Sequence, residues 1–451
     1  MDWTNAPQTH EAIPVSDSAK PLPPTLSVLY APDGERLGQS VVLEHDLKLG
    51  RVVSDFGGVP FEDGQMSRLH ATVRLLGDQV TLEDGGSTNG TVVNGVRVRR
   101  QQLEEGDILQ IGGTFFGYDR VSAEGLRTID EADLIGVSPV LGELAQALRS
   151  VAPRRTPVLI SGEPGAGKRA VARELIRLAQ CSSPPVIIQC GAGPRERVEE
   201  GLFGGEIGAA MTSHEVGGAL KSAMDGTLVL VDVEQLSLHA QAWLYWTLEE
   251  ASRSGRSSPP RLIATTGLSI AAIEKRIRSG GLRADLFGML RSWSVEMQPL
   301  RRRRQDIPVL VGRCVADFER RAGNVAPRMV VEPSLMWALI DHPWPRNVDE
   351  LRTVVESACV EAAAKGGALT LSERLQRLIG GRAPGAKPVE ATVAAPRSRS
   401  ELLAVLQEHD YVISRVADHF GKHRQQVYRW MDRFEIDRGG ASTAAQEGKS
   451  L

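Results

Sequence analysis

No stretch limits the fold of this chain as tightly as "TPVLISGEPGAGKRAVARELI", which runs from Thr156 to Ile176. It opens as a short apolar run that predicts a buried strand and closes as a helical pattern, with a glycine loop between. Gly162, Gly165, Gly167 and Lys168 give the G-x-x-x-x-G-K core of a phosphate-binding loop. The glycines let backbone N–H groups wrap phosphate oxygens at a helix N-terminus, and the lysine reaches the terminal phosphates. Each loop residue is a candidate nucleotide contact: Gly162, Glu163, Pro164, Gly165, Ala166, Gly167, Lys168 and Arg169. A helix is predicted from Ala170 to Ala179, with Val171, Leu175 and Leu178 on one face. Further apolar runs ("PVIIQC", "TLVLV", "RLIATT") alternate with helical patterns such as "AQAWLYWTLEEA". That alternation predicts an α/β domain on a parallel sheet.

The chain has 451 residues, a length that suggests about three domains. A hydrophobic content of 41% and a charged content of 24% suit globular domains that each bury a core. The formal charge of −3 gives no general basic field, so any nucleic-acid surface must be local. Cys181, Cys190, Cys314 and Cys359 lie far apart without a C-x-x-C, which argues against a disulfide framework or zinc site. No metal ligand set is expected. With no apolar leader and no run of about 18 apolar residues, a cytoplasmic protein with no membrane partner is expected.

Texture divides the chain. Residues 1–24 and 439–451 read as disordered tails, and 123–133 and 380–399 as linkers. Residues 25–122 carry short strands broken by Gly, Asn and Asp, including the hairpin signal "TVVNGVRV". An all-β sandwich is predicted there, an α/β core over 134–301, a helical subdomain over 302–379, and three helices over 400–438.

In the β region, "LGR" (49–51), "MSRLHA" (66–71) and "DGGSTNGTVVNG" (84–95) occur in order. Together they resemble the forkhead-associated (FHA) domain. The resemblance implies recognition of phosphothreonine, with Arg51, Ser67 and Arg68 on the phosphate, Asn89 on the peptide backbone and Thr88 assisting. Arginine forks and hydroxyls suit that dianion. Gly50 and His70 match positions that support the loops. The ligand can be another phosphoprotein of a Ser/Thr kinase pathway or the chain's own phosphorylated tail, where Thr4, Thr9 and Thr25 are available. Solvated arginines on a scaffold that binds no phosphate are the alternative.

In the α/β region, "DLIGVSP", "GLFGGEIGAA", "GTLVL", "LRADLF", "PLRRRRQDIP" and "WPRNVDELR" accompany the loop. This set resembles the AAA+ domain of NtrC-type, sigma-54-dependent transcriptional activators, with its α/β core and helical lid. Measured against that family, catalytic positions are missing. The residue after the loop lysine is Arg169 where the family has Glu. Without gaps the family's "GTLFLDEI" falls on "GTLVLVDV", which puts Val231 at the Walker B aspartate and Asp232 at the glutamate; a shift by one residue restores the aspartate but puts Val233 at the glutamate, so either way one carboxylate is gone. Gln189 stands at the asparagine of "VNCAAL" and Gly267 at the sensor asparagine. One arginine finger survives as Arg283, the second falls on Met289, and the lid arginine falls on Asp349. The sigma-contacting "GAFTGA" becomes "GAAMTS" at 208–213, with Ala210 and Met211 at its tip. The run Arg301 to Arg304 is read as part of the core-to-lid joint rather than as a nucleic-acid surface. Trp344 and Pro345 are read as lid packing.

At the C-terminus, Val427, Trp430, Met431 and Phe434 recur at helical spacing, and Ser400 is expected to cap the first helix. Lys422, His423, Arg424, Gln425, Gln426, Arg429 and Arg433 fall outside that apolar face. This region resembles the Fis-type helix-turn-helix, which implies DNA binding at paired half-sites, with Arg and Gln on base edges and Lys422 and Arg433 on phosphates. A helical packing module with a solvated basic side is the alternative.

The reading that results is a bacterial DNA-binding regulator of the sigma-54 activator family with an FHA input. It holds ATP or ADP without productive Mg²⁺ chemistry, has impaired hydrolysis and sigma-54 polymerase contact, and forms homo-oligomers or mixed oligomers with a paralogue. Two alternatives stand beside it: an active ATPase that remodels sigma-54 RNA polymerase, and a phosphoprotein-binding adaptor.

Overall fold

The computed structural model describes residues 22–379 except 35, 57–59, 122–128, 132–133, 181–182, 205–216, 255–257 and 324–327. Beyond them it describes 396, 398–408, 416, 419, 420, 427, 430, 431, 433, 434 and 436. Tip residues Ala210 and Met211, and Lys422, His423, Arg424, Gln425, Gln426 and Arg429, lie outside the described residues, as do Thr4 and Thr9.

Two antiparallel sheets face each other in the first domain. One runs in the order Ser40–Val42, Pro24–Tyr30, Thr114–Arg120, Asp107–Ile111, Thr91–Val93, Val96–Val98. The other runs Leu47–Leu49, Ala71–Leu76, Gln79–Asp84, Arg100–Gln102. Inward-facing Leu26, Val28, Leu49, Val73, Leu82 and Phe116 fill the space between them, the alternation a sandwich requires. The Asn94-Gly95 hairpin forms as predicted, with φ of 49° and 80°. Asn94 then does a second job: its side-chain oxygen accepts from Ile108 N at 3.0 Å, pinning the turn to the next strand.

The α/β core has five parallel strands in the order Val186–Gln189, Thr227–Val231, Arg261–Thr266, Val158–Gly162, Trp293–Met297. Alternate residues of one strand serve opposite faces. Leu228 and Leu230 pack under Leu244 and Phe287. Val229 and Val231 pack on the other side, with Leu148 and Leu175. The glycine loop therefore leaves the carboxyl end of a central strand, where open α/β sheets bind ligands.

Three local expectations are corrected. The segment 123–133 contains Ile129–Glu131, which pairs antiparallel with Leu134–Gly136; the hairpin is held because Leu134 is buried with Leu141 and Leu148. The lid is not purely helical. Val330–Val331 pairs in parallel with Ala368–Leu369, burying Val331 and Leu369 in the lid core, and two-residue strands are too short to leave a period. The helix Arg399–Glu408 is capped by Ser398, whose hydroxyl accepts from Glu401 N at 3.3 Å, rather than by Ser400. In the C-terminal segment, Val427, Trp430 and Met431 are buried with Leu402 and Leu406.

The sandwich docks on the lid. Tyr30 and Phe115 are buried in one cluster with Leu310, Val311 and Met336 of the lid helices. Phe115 meets the Trp337 ring at 5.4 Å between centroids. The polar atoms of this apolar seam are paired: Val331 N donates to the Tyr30 hydroxyl at 2.9 Å, the Trp337 indole donates to Gln110 Oε1 at 2.6 Å, and Gln305 Nε2 donates to Tyr118 O at 3.3 Å. At its rim, Arg328 donates to the Pro32 and Asp33 carbonyls.

Candidate functional site

The loop end of the sandwich gathers the predicted phosphopeptide residues through backbone bonds. Arg51 N donates to Ser67 O at 2.9 Å, and Val52 N and Val53 N donate to Arg68 O at 3.1 and 3.0 Å. Only glycine fits at position 50, because a Cβ there would lie 2.2 Å from Arg68 O. Ser67 Oγ accepts from Thr88 N at 3.2 Å, and Asn89 Nδ2 donates to Gln65 O at 2.8 Å. Arg51, Arg68, Thr88 and Asn89 are exposed, and among the described residues no carboxylate pairs with either arginine. The geometry is thus two exposed guanidiniums on a loop frame held by backbone and side-chain hydrogen bonds.

Two groups hold that frame, the half-buried Asp84 and the buried His70. Asp84 accepts from the hydroxyls of Ser87 and Thr91 and from Gly86 N and Ser87 N. Burial alone would raise its pKa, but these bonds hold it below the usual carboxylate range. His70 is fully buried; its Nδ1 accepts from Ser67 N at 3.1 Å and its Nε2 lies 3.3 Å from Gly90 O. That pairing assigns the neutral tautomer with hydrogen on Nε2, and burial lowers the pKa. A histidine depressed in the folded state stabilises fully above the unfolded value of about 6.5 and less as pH falls toward the folded value. Acidification below that pH is therefore expected to destabilise the sandwich, and His70→Gln to flatten the dependence, measured by thermal unfolding across pH.

The glycine loop is clasped by the lid. Glu163 forms a two-pronged ion pair with Arg301 at 2.5 and 2.7 Å and accepts from Asn347 Nδ2 at 3.2 Å. The Arg301 contact, chiefly, pulls the Glu163 pKa down to about 2. Val348 N donates to Gly165 O at 3.0 Å, and a Cβ on Gly165 would lie 2.1 Å from Arg346 O. Arg303 donates to Ala166 O at 2.6 Å. Lys168 folds onto the loop, donating to Gly162 O at 2.7 Å and Glu163 O at 3.0 Å. Arg169 reaches Gln189 at 3.5 Å, away from the loop. The arginines 301–304 are thus joint residues: Arg302 donates to Gln298, and Arg304 to Asp341 and to Ile340 O.

With both sites described, comparison with known proteins is direct. Residues 134–296 match the sigma-54 interaction domain, 47–112 the FHA domain and 301–391 the AAA+ ATPase lid domain. By these matches the chain carries a sigma-54 interaction domain, an FHA domain and an AAA+ lid domain. It is 32% identical over 284 residues to the nitric oxide reductase transcription regulator NorR1 of Cupriavidus necator, covering 60% of this chain and 54% of that one. It is 34% identical over 240 residues to the Nif-specific regulatory protein of Azospirillum lipoferum, covering 51% and 37%. The chain therefore spans about half the length, or less, of these relatives. A crystal structure of NtrX from Brucella abortus in complex with ADP aligns at 27% identity and a TM-score of 0.47, covering 68% and 70%.

The residues that the sequence reading set against the family's catalytic positions have definite surroundings. Val231 is buried in the sheet core. Met289 packs against the apolar core beside Phe287. Arg283 is held by Asp285 of its own chain at 2.5 and 3.0 Å. The Asp349 carboxylate lies beside the glycine loop, 3.3 Å from a Cβ built on Gly165. One acid was missed by reading the sequence. Asp232 takes a left-handed conformation, φ 57°, and starts the 3-10 turn Val233–Gln235. That turn brings Glu234 back over the neighbouring strand, where its Oε1 accepts from Gly267 N at 2.8 Å. Glu234 is 8% exposed, and its Oε2 is buried with no hydrogen-bond partner. Burial lowers the Lys168 pKa, while the charges of Asp232 and Glu234 act to raise it. The Cys190 thiol is pushed up to about 12, by burial first and then by the same two acids. Among the described residues no helix is long and apolar enough to cross a membrane.

Proposed function

We propose that this chain is a DNA-binding transcriptional regulator that reads threonine phosphorylation through its FHA domain and binds ATP or ADP under its lid. Hydrolysis and sigma-54 contact are impaired. The observation that carries the reading is the contrast between its two sites. The FHA loop end has rigid loops and unpaired guanidiniums, which suit a phosphate ligand. The nucleotide site keeps its glycine loop, Lys168 and lid clasp, yet has Val231, Gly267, Met289 and Asp349 where the resembled family carries catalytic groups. Losing single groups of this kind costs about 10²–10³ in rate, and groups acting as a unit fail together. Nucleotide then acts as a ligand that holds core and lid in one arrangement. The sandwich, seated on that lid, reports on phosphorylation, and the C-terminal helices carry the DNA contact with paired half-sites, in homo-oligomers or mixed oligomers with a paralogue.

Where the residues fit Mg²⁺, they do so through Asp232 and the uncompensated Glu234 oxygen; the ion would neutralise phosphate charge there. Lys168 holds the terminal phosphates, and the loop N–H groups hold the rest. The test is steady-state phosphate release by the purified full chain with ATP, Mg²⁺ and DNA. Turnover at least about 100-fold below the median enzyme rate of roughly 10 s⁻¹ is expected. Rapid turnover that vanishes in Lys168→Ala would establish the alternative, an active remodelling ATPase.

A further inference from the structure

The Glu234 carboxylate, among the described residues, is an acid beside the nucleotide site that the family resemblance leaves unexplained. Its position at the carboxyl end of the sheet follows from a local rearrangement of two residues. With Val231 in the sheet core, the strand cannot supply an acid at that point. The left-handed Asp232 turns the chain early, and the 3-10 turn carries residue 234 across the end of the Arg261–Thr266 strand, next to the strand that feeds the glycine loop. Gly267 gives it room: a Cβ there would stand 3.3 Å from Glu234 Oε1, tighter than ordinary contact. A larger polar side chain at 267 would compete for the same space and for the N–H that Glu234 accepts from. The absence of a side chain at 267 and the carboxylate at 234 are therefore sterically matched.

One oxygen of this carboxylate is satisfied by Gly267 N, and the other is buried with no partner. Leaving a buried carboxylate oxygen unpaired is costly, and a water or a cation beside it would remove that cost. The surroundings select which. Lys168 is committed to the Gly162 and Glu163 carbonyls. Asp232 adds a second negative charge at the same strand end. Two carboxylates beside a phosphate loop match the way Mg²⁺ is held, by one or two acids plus substrate phosphates rather than by an all-protein cage. We propose that Glu234 and Asp232 together hold the divalent cation of a bound nucleotide, Glu234 replacing the acid absent at Val231. This rests on the nucleotide-binding reading above and deepens it.

The experiment measures the affinity of the full chain for a fluorescent ADP analogue in EDTA and in Mg²⁺, with Mn²⁺ binding followed separately by electron paramagnetic resonance. The readout is the ratio of the two affinities. Mg²⁺ is expected to tighten binding by roughly ten-fold in the native chain, a free-energy step of about 1.4 kcal/mol. In Glu234→Gln, which keeps the shape and the Gly267 contact, that ratio is expected to fall to about 1 and the nucleotide-dependent Mn²⁺ signal to disappear. Glu234→Asp, which keeps a carboxylate, is expected to retain part of the ratio, and an unchanged melting temperature in Glu234→Gln shows that the carboxylate and not the fold is responsible. An unchanged ratio in Glu234→Gln overturns the proposal, as does native affinity that ignores Mg²⁺; both leave nucleotide binding standing. No analogue binding by the native chain in either buffer overturns the nucleotide reading and the proposal together.

Discussion

Asp306→Ala is expected to destabilise the core-and-lid unit by about 3–5 kcal/mol in urea unfolding. The residue is fully buried at the start of the lid helix Asp306–Ala322. Its Oδ1 accepts from Val137 N and Ser138 N, both at 2.8 Å, and its Oδ2 from the Ser138 hydroxyl at 2.9 Å. Arg303, 5% exposed, approaches Oδ2 at 3.4 Å while its other amine holds Ala166 O of the glycine loop. Alanine removes the acceptor from two backbone N–H groups and leaves a buried guanidinium without its counter-charge. Breaking a buried pair from one side costs far more than the pair contributes when whole, because the remaining charge stays desolvated. Asp306→Asn keeps one acceptor and the volume, so a smaller loss is expected. A loss below about 1 kcal/mol for alanine would mean that water reaches Arg303 and that the joint is not the rigid connection described.

That joint also marks how far the sequence could be read. The strand, glycine loop and helix around Lys168 were legible because glycine spacing and a period change leave marks along the chain. The Asn94-Gly95 turn was legible for the same reason: positive φ at two successive positions restricts residue choice. The FHA loops were legible as spaced motifs, though not the backbone ladder between Arg51 and Ser67 that frames them. Glu234 was not legible. In sequence it is one more acid after an apolar strand, and only the left-handed backbone at Asp232 turns it over the next strand. The seating of the sandwich on the lid was equally silent. Tyr30, Phe115 and Trp337 carry no mark in the sequence of a shared surface, and their meeting across some 220 to 310 residues of chain depends on two surfaces matching in space. Arg301 to Arg304 were readable as joint residues, but their partners (Glu163 and Ala166, Asp306, Asp341) come from three separate segments.

The second large effect falls on the FHA loops. Arg68→Ala and Arg51→Ala are each expected to weaken binding of a phosphothreonine peptide by about 10- to 150-fold, the equivalent of one charge-assisted hydrogen bond at about 1.5–3 kcal/mol. The loops should survive both changes. The bonds that join them use backbone atoms, Arg51 N to Ser67 O and Val52 N to Arg68 O, and both side chains are exposed. Loss of affinity without loss of melting temperature is therefore the expected signature, read by calorimetric titration alongside thermal unfolding. Ser67→Ala should behave differently. Its hydroxyl accepts from Thr88 N, so alanine both removes a phosphate donor and frees the 84–90 loop. It should lower affinity and melting temperature together. Unphosphorylated peptide should not bind, because exposed guanidiniums without a dianion gain too little to offset ordering the peptide. If the arginine variants bind phosphopeptide as well as the native chain does, those guanidiniums are solvated surface charges, and regulatory input reaches the lid by another face of the sandwich.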